Sequence, residues 1–374
     1  MTEPIDWRLA ERVAVKLAGT DPFAGSYHFA SLQPDFDELT AQAEALVGEA
    51  TGLVSGLGPA RARVADRQHW VRANIASFQR LLRPLTSRFS EHLHGPMAPI
   101  ARRVAGLEVG SLLGWMAGRV LGQYDLLVIE DEQPEEQDLV YYIGPNVLAL
   151  EKRYAFPPRE FRLWLALHEV THRAQFTGVP WMRSYFLGLV NDTLGTADPD
   201  PKRLLEAIKR AADEVRAGRN PLDDGGIVTL LASPDQRVAI DAVGGLMSLL
   251  EGHGDITMDR AGSHLIPSAT RFSAVLRQRR DVKGLARTMR KLVGIEAKMA
   301  QYEQGEKFIH SVEEARGRDY LDQVWGSAAL VPTLAEIRDP QRWMTRIDQD
   351  AGSRSGPSHP RSSDRGHPDP NPQR

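Results

Sequence analysis

A chain of 374 residues with 42% hydrophobic and 25% charged side chains has enough apolar material for one large core or two ordinary ones. Its formal charge of −3 gives no general attraction for nucleic acid, and the absence of cysteine excludes disulfides and thiolate metal sites, so any bound zinc must rest on His, Asp or Glu. The opening stretch MTEPIDWRLAERVAVKLAG reads as a polar-faced helix rather than a signal peptide, and a cytoplasmic location is expected.

Residues 5–18, 35–55 and 60–90 carry apolar positions near the 3.6-residue spacing and predict three helices. Trp70, Ile75, Phe78, Leu81 and Leu82 form the core face of the third, which Pro84 should bend or end. Between Val104 and Gln123, glycine recurs every fourth residue at Gly106, Gly110, Gly114, Gly118 and Gly122. On a helix these glycines line one side and let another backbone approach closely. Glu108 and Arg119 interrupt the apolar run, leaving it too short to span a bilayer. Residues 124–130 (YDLLVIE) and 139–143 (LVYYI) predict a hairpin around the acidic loop 131–138. Gly144, Pro145 and Asn146 then end the hairpin, just before the next helix.

That helix is marked by Pro157 and Pro158 at its start and by Gly178 and Pro180 at its stop. Its centre is His168-Glu169-Val170-Thr171-His172. Two histidines four apart project from one face of a helix. With a glutamate beside the first, they supply two imidazole ligands and a base for a zinc-activated water. The plain structural alternative is a pair of buried, hydrogen-bonded histidines. Further helices are expected over 180–194, 201–217, from the Ser233 cap and Pro234 to about 259, 268–281, 284–304, 306–315 and 340–348. Residues 325–340 read as a loop with short turns. Residues 271–294 hold eight Arg or Lys against one Asp, which reads best as a solvated helix face. From Asp350 the chain has almost no apolar side chains and should be disordered.

A catalytic zinc needs a third protein ligand. The stretch Leu249-Leu250-Glu251-Gly252-His253-Gly254-Asp255 offers Glu251, with Asp255 one turn on and able to support a ligand histidine from outside. His253 competes, but on a regular helix it points about 200° away from Glu251. For the developing oxyanion of an amide, Tyr185 is the first candidate and His253 the second, with Arg183 also nearby in sequence.

H-E-x-x-H followed by E-x-x-x-D resembles the glutamate zincins, the thermolysin-like branch of the metallopeptidases. The resemblance implies zinc on His168, His172 and Glu251, Glu169 as general base and Asp255 behind a ligand. Glu251 lies 79 positions after His172, a longer gap than in compact members of that branch. The runs VADRQHWVRAN, LWLALHEVTHRAQFTGVPWMRSY, LMSLLEGHGDITMD and GIEAKMAQYEQGEKF are similar to an actinobacterial family of zinc-dependent metalloproteases or hydrolases. Some of its members are associated with biosynthesis of the deazaflavin coenzyme. The expectation is therefore a mainly helical fold with a small β-sheet, of α+β class, with a zincin-like core. Residues 1–95 would form a helical region packed on a catalytic region over 96–349, and 350–374 a disordered tail. A zinc-dependent hydrolase of a peptide or small amide is expected, with no nucleic-acid or membrane partner. A non-catalytic scaffold holding a structural metal is the alternative.

Overall fold

Pro157 is extended and Pro158 follows in the first helical turn, where its missing N–H removes no hydrogen bond. Glu160 in that turn complements the helix dipole, and its Oε2 also accepts from the Ser268 N–H. The resulting helix runs unbroken from Pro158 to Gly178, where Val179 turns extended and Pro180 cannot continue it. The computed structural model that shows this describes residues 3–21, 23, 25–83, 86, 98–126, 137–195, 234–280 and 295–354.

In chain order the helices are α1 (Trp7–Ala18), α2 (Tyr27–Ala30), α3 (Leu32–Thr51), α4 (Arg67–Leu81), α5 (Ala98–Ala117), α6 (Gly144–Tyr154) and α7 (Pro158–Gly178). They continue as α8 (Met182–Gly195), α9 (Pro234–Gly262), α10 (Ala269–Arg280), α11 (Ile295–Arg316), α12 (Arg318–Asp322), α13 (Leu334–Arg338) and α14 (Pro340–Arg354). The strands are β1 (Arg61–Ala65), β2 (Gly122–Tyr124) and β3 (Leu139–Ile143). They form one sheet in the order β1-β3-β2, with β1 parallel and β2 antiparallel to β3.

All five residues of β3 are buried because both faces of the sheet are covered. Val140 and Tyr142 turn toward α3 and α7, whereas Leu139, Tyr141 and Ile143 turn toward α1, α4 and α5. Each fully buried aliphatic side chain here contributes roughly 1.5–3 kcal/mol. Tyr142 stacks on Phe36 at 3.8 Å and shares a 2.8 Å hydrogen bond with Thr40, which locks α3 to the sheet. A third cluster joins Leu249 and Ile256 of α9 to Phe308, Ile309 and Val312 of α11 and to Trp343 of α14. No helix of the described residues is long and apolar enough to cross a membrane.

The mainly helical α+β architecture matches the sequence expectation, but several elements differ. Residues 61–65 are a strand and not the start of a helix: Arg61-Ala62-Arg63-Val64 alternates, and α4 begins only where Asp66 accepts from the His69 N–H at 2.6 Å. The hairpin partner of β3 is centred on Gln123, earlier than expected, while residues 127–136 lie outside those described. Gly144-Pro145-Asn146 does not lead straight into the histidine helix; it opens α6, with proline again tolerated in a first turn. Gly305 does not separate two helices. It lies inside continuous α11, where a side chain would strike the Ser248 carbonyl of α9. The 201–217 helix, the Ser233 cap, residues 281–294 of the basic stretch and residues 355–374 lie outside the described part.

The glycine ladder behaves as expected over three of its five steps. A Cβ at Gly106 would lie 2.6 Å from the Asp6 carbonyl oxygen, one at Gly114 2.6 Å from Leu17 Cβ, and one at Gly110 would strike the Ala10 carbonyl. The helices α1 and α5 therefore cross at backbone contact. Gly118 faces open space, and Gly122 has left the helix for β2. Gly110→Ala should lower the unfolding free energy by about 1–3 kcal/mol through overpacking against a rigid backbone. Gly118→Ala should stay within about 0.5 kcal/mol of the parent. Urea denaturation of the two variants checks the contrast, and equal midpoints would refute the close crossing.

Candidate metal centre

His168 and His172 stand one turn apart on α7 and face the same way because helical geometry requires it. Their Nε2 atoms are 3.2 Å apart. Across from them, α9 presents Glu251, whose Oε2 lies 3.5 Å from His172 Nε2 and 3.8 Å from His168 Nε2. Ligand atoms about 2.1 Å from a tetrahedral ion stand roughly 3.4 Å from one another. The three separations bracket that value, and two imidazoles with one carboxylate suit zinc in a chain without thiols. Among the described residues these three form the His/Cys/Asp/Glu group able to hold a metal ion. Gly254 helps: a Cβ there would sit 3.6 Å from the His172 ring and 3.7 Å from His168, so α9 lies flat against both imidazoles.

Glu169 is buried beside this group, and its Oε2 accepts from the Tyr124 N–H of β2 at 3.1 Å. Gly122 packs so closely that a Cβ would lie 2.6 Å from Glu169 Oε1. Burial pushes the Glu169 carboxyl up to about 7; Glu251 adds to the rise, whereas His172 and the Tyr124 N–H oppose it. Burial disfavours the His172 imidazolium, yet Glu251 and Glu169 outweigh it and raise its pKa to about 9. The α7–β2 contact is held from behind by buried Arg173. Its guanidinium donates to Asp138 at 2.6 Å, to Glu44 at 2.6 Å and to the Gly58 carbonyl at 2.7 Å. Asp138 also accepts from the Tyr124 hydroxyl at 3.2 Å.

With this geometry in view, the sequence profile of the zincin-like metallopeptidases matches residues 5–344. The chain belongs to that family. Among solved structures, a proposed hydrolase with a novel fold from Chloroflexus aurantiacus is similar at 30% identity and a TM-score of 0.69, covering 92% of this chain and 99% of that one. No curated protein matches the chain.

In this zincin-like chain the other residues singled out by sequence fall in different places. Asp255 Oδ1 lies 4.0 Å from His168 Nδ1, on the outer side of that ring but beyond hydrogen-bond reach. His253 is buried with its Nδ1 on Gln175, and its ring is edge-on to Trp325 at 4.8 Å, so Glu251 rather than His253 joins the two histidines. Burial, with Arg260, Arg318 and His172 adding to it, drives His253 down to about 3, so the ring is neutral. Tyr185 on α8 packs in the cluster around α7, edge-on to Trp181 at 5.8 Å. Sequence reasoning gave Gln175 no role, although it lies one turn beyond His172 on the same face. Its amide bonds His172 Nδ1 at 2.9 Å. It also gave no part in the site to Gly122 and Tyr124, whose meeting with Glu169 depends on chain pairing 45 residues away.

Proposed function

We propose that this protein is a zinc-dependent metallohydrolase acting as a peptidase, with zinc on His168, His172 and Glu251. The observation that carries the reading is the triangle of donor atoms at 3.2, 3.5 and 3.8 Å with the Glu169 carboxyl beside it. Zinc held there supplies a Lewis acid for a carbonyl oxygen and lowers the pKa of a water to near 7. Glu169 accepts the proton from the attacking water and returns it to the leaving amine. Asp255 acts on His168 from outside, its carboxylate 4.0 Å from the outer ring nitrogen.

The position of β2 supports a peptide as substrate. It is an edge strand of the described sheet. Leu121 and Asp125 turn their backbone groups toward β3, so those of Gly122 and Tyr124 turn outward, and the Tyr124 N–H already meets Glu169. An extended peptide added along this edge runs past the base.

Metal analysis tests the ligand set. The wild type should hold about one zinc per chain, and His172→Ala and Glu251→Ala should each lose it while keeping the helical circular dichroism of the parent. Stoichiometric zinc in both variants would overturn the assignment.

A further inference from the structure

Gln175 is bonded at both ends of its amide. Oε1 lies 2.9 Å from His172 Nδ1, while Nε2 lies 2.9 Å from the Leu250 carbonyl oxygen and 3.0 Å from His253 Nδ1. Gln175 and His253 are both buried. The Leu250 oxygen can only accept. Turning the amide over would set two oxygens 2.9 Å apart in a buried site, so Nε2 must face α9. Oε1, which can only accept, then faces His172, and His172 Nδ1 must carry a hydrogen. In the neutral form that can bind a metal the imidazole holds one N–H, so the lone pair of His172 is then on Nε2, turned to His168 and Glu251. At the far end both hydrogens of Nε2 are committed, one to Leu250 and one to His253. His253 Nδ1 is therefore a bare acceptor, and the contact with Trp325 sets the plane of its ring.

We propose that Gln175 and His253 are a positioning pair: they hold His172 in the tautomer with Nε2 open to a metal ion and, through Leu250, set α9 where Glu251 can reach it. The proposal rests on the zinc reading of the three donors. It gives His253 a role through Gln175 instead of contact with an oxyanion. Leu250 directly precedes Glu251, so one side chain of α7 governs both the tautomer of its own ligand and the reach of the opposite one. Loss of such a partner typically weakens metal binding 10–100-fold.

The test uses the full chain labelled with nitrogen-15 in the histidine rings, together with zinc affinity by competition with a chromogenic chelator. In the wild type, His253 should show a bare Nδ1 and a protonated Nε2. Gln175→Met should bind zinc roughly 10–100-fold more weakly with unchanged far-ultraviolet circular dichroism. His253→Phe, which keeps a ring against Trp325, should give a smaller loss in the same direction. A His253 protonated on Nδ1, or wild-type zinc affinity in Gln175→Met, overturns the proposal. If Gln175→Met does not fold, His253→Phe decides, and unchanged affinity with unchanged His172 ring signals overturns it. Failure of the zinc reading looks different: the wild type itself would bind no zinc, and the ring-nitrogen signals of His253 would then decide the amide orientation alone.

Discussion

Glu169→Gln is expected to lower peptide hydrolysis by about 10²–10⁴-fold while leaving bound zinc unchanged. The substitution keeps the shape of the side chain and an oxygen for the Tyr124 N–H, so β2 stays in place. It removes only the capacity to take and return a proton. Cleavage of a peptide mixture followed by mass spectrometry, with elemental analysis for zinc, separates the outcomes. Equal activity in variant and parent would remove Glu169 as base. A parent that holds zinc but cleaves nothing would favour a scaffold with a structural metal. The pH dependence adds a signature. As the proposed base Glu169 would work as a carboxylate, so activity is expected to be lost as pH falls through its pKa. Burial places that pKa at about 7, and a neighbouring cation moves it lower. The acid limb should therefore lie at or below pH 7 and disappear in Glu169→Gln.

Arg173→Met should lower the unfolding free energy by about 3–5 kcal/mol, the range for removing one partner of a buried ion pair. Arg173 is 1% exposed and joins Asp138, Glu44 and the Gly58 carbonyl, three segments distant in sequence. Methionine fills much of the volume but leaves the Asp138 carboxylate, itself 7% exposed, with the Tyr124 hydroxyl as its one remaining partner among the described residues. Burial and Asp138 push the Tyr124 phenol well up, so it remains a donor yet cannot neutralise the charge. The double variant Arg173→Met/Asp138→Asn should recover part of the loss, because the orphaned charge is the main cost. Urea denaturation measures both, and a cost under about 1 kcal/mol for the single variant would mean that water replaces the guanidinium.

The two predictions draw on different levels of the chain. His168, Glu169 and His172 were legible in sequence because helix periodicity is local: once Pro157, Pro158, Gly178 and Pro180 bound the helix, a spacing of four places both rings on one face. The apolar run LVYYI was legible as a strand for a similar reason, as was the close approach allowed by Gly106, Gly110 and Gly114. Beta1 was less so, since a half-buried edge strand with two arginines carries little hydrophobic signal. Gly305 has no local signature that separates a helix break from a helix crossing; the Ser248 carbonyl against it decides.

By itself, then, the sequence determined two candidate ligands, a candidate base and a mainly helical class, all set by short-range stereochemistry. For the residue that completes the triangle, helix geometry and the family resemblance favoured Glu251 over His253 in sequence, and the tertiary structure decided. Glu251 and His253 sit two positions apart on one helix, and composition favours neither. Once α9 lies across α7, with Gly252 and Gly305 letting α11 close against its back, Glu251 reaches the imidazoles and His253 turns to Gln175 and Trp325. Two neighbours on a helix about 200° apart cannot share a target, and only the packing of the whole chain says which of them meets it.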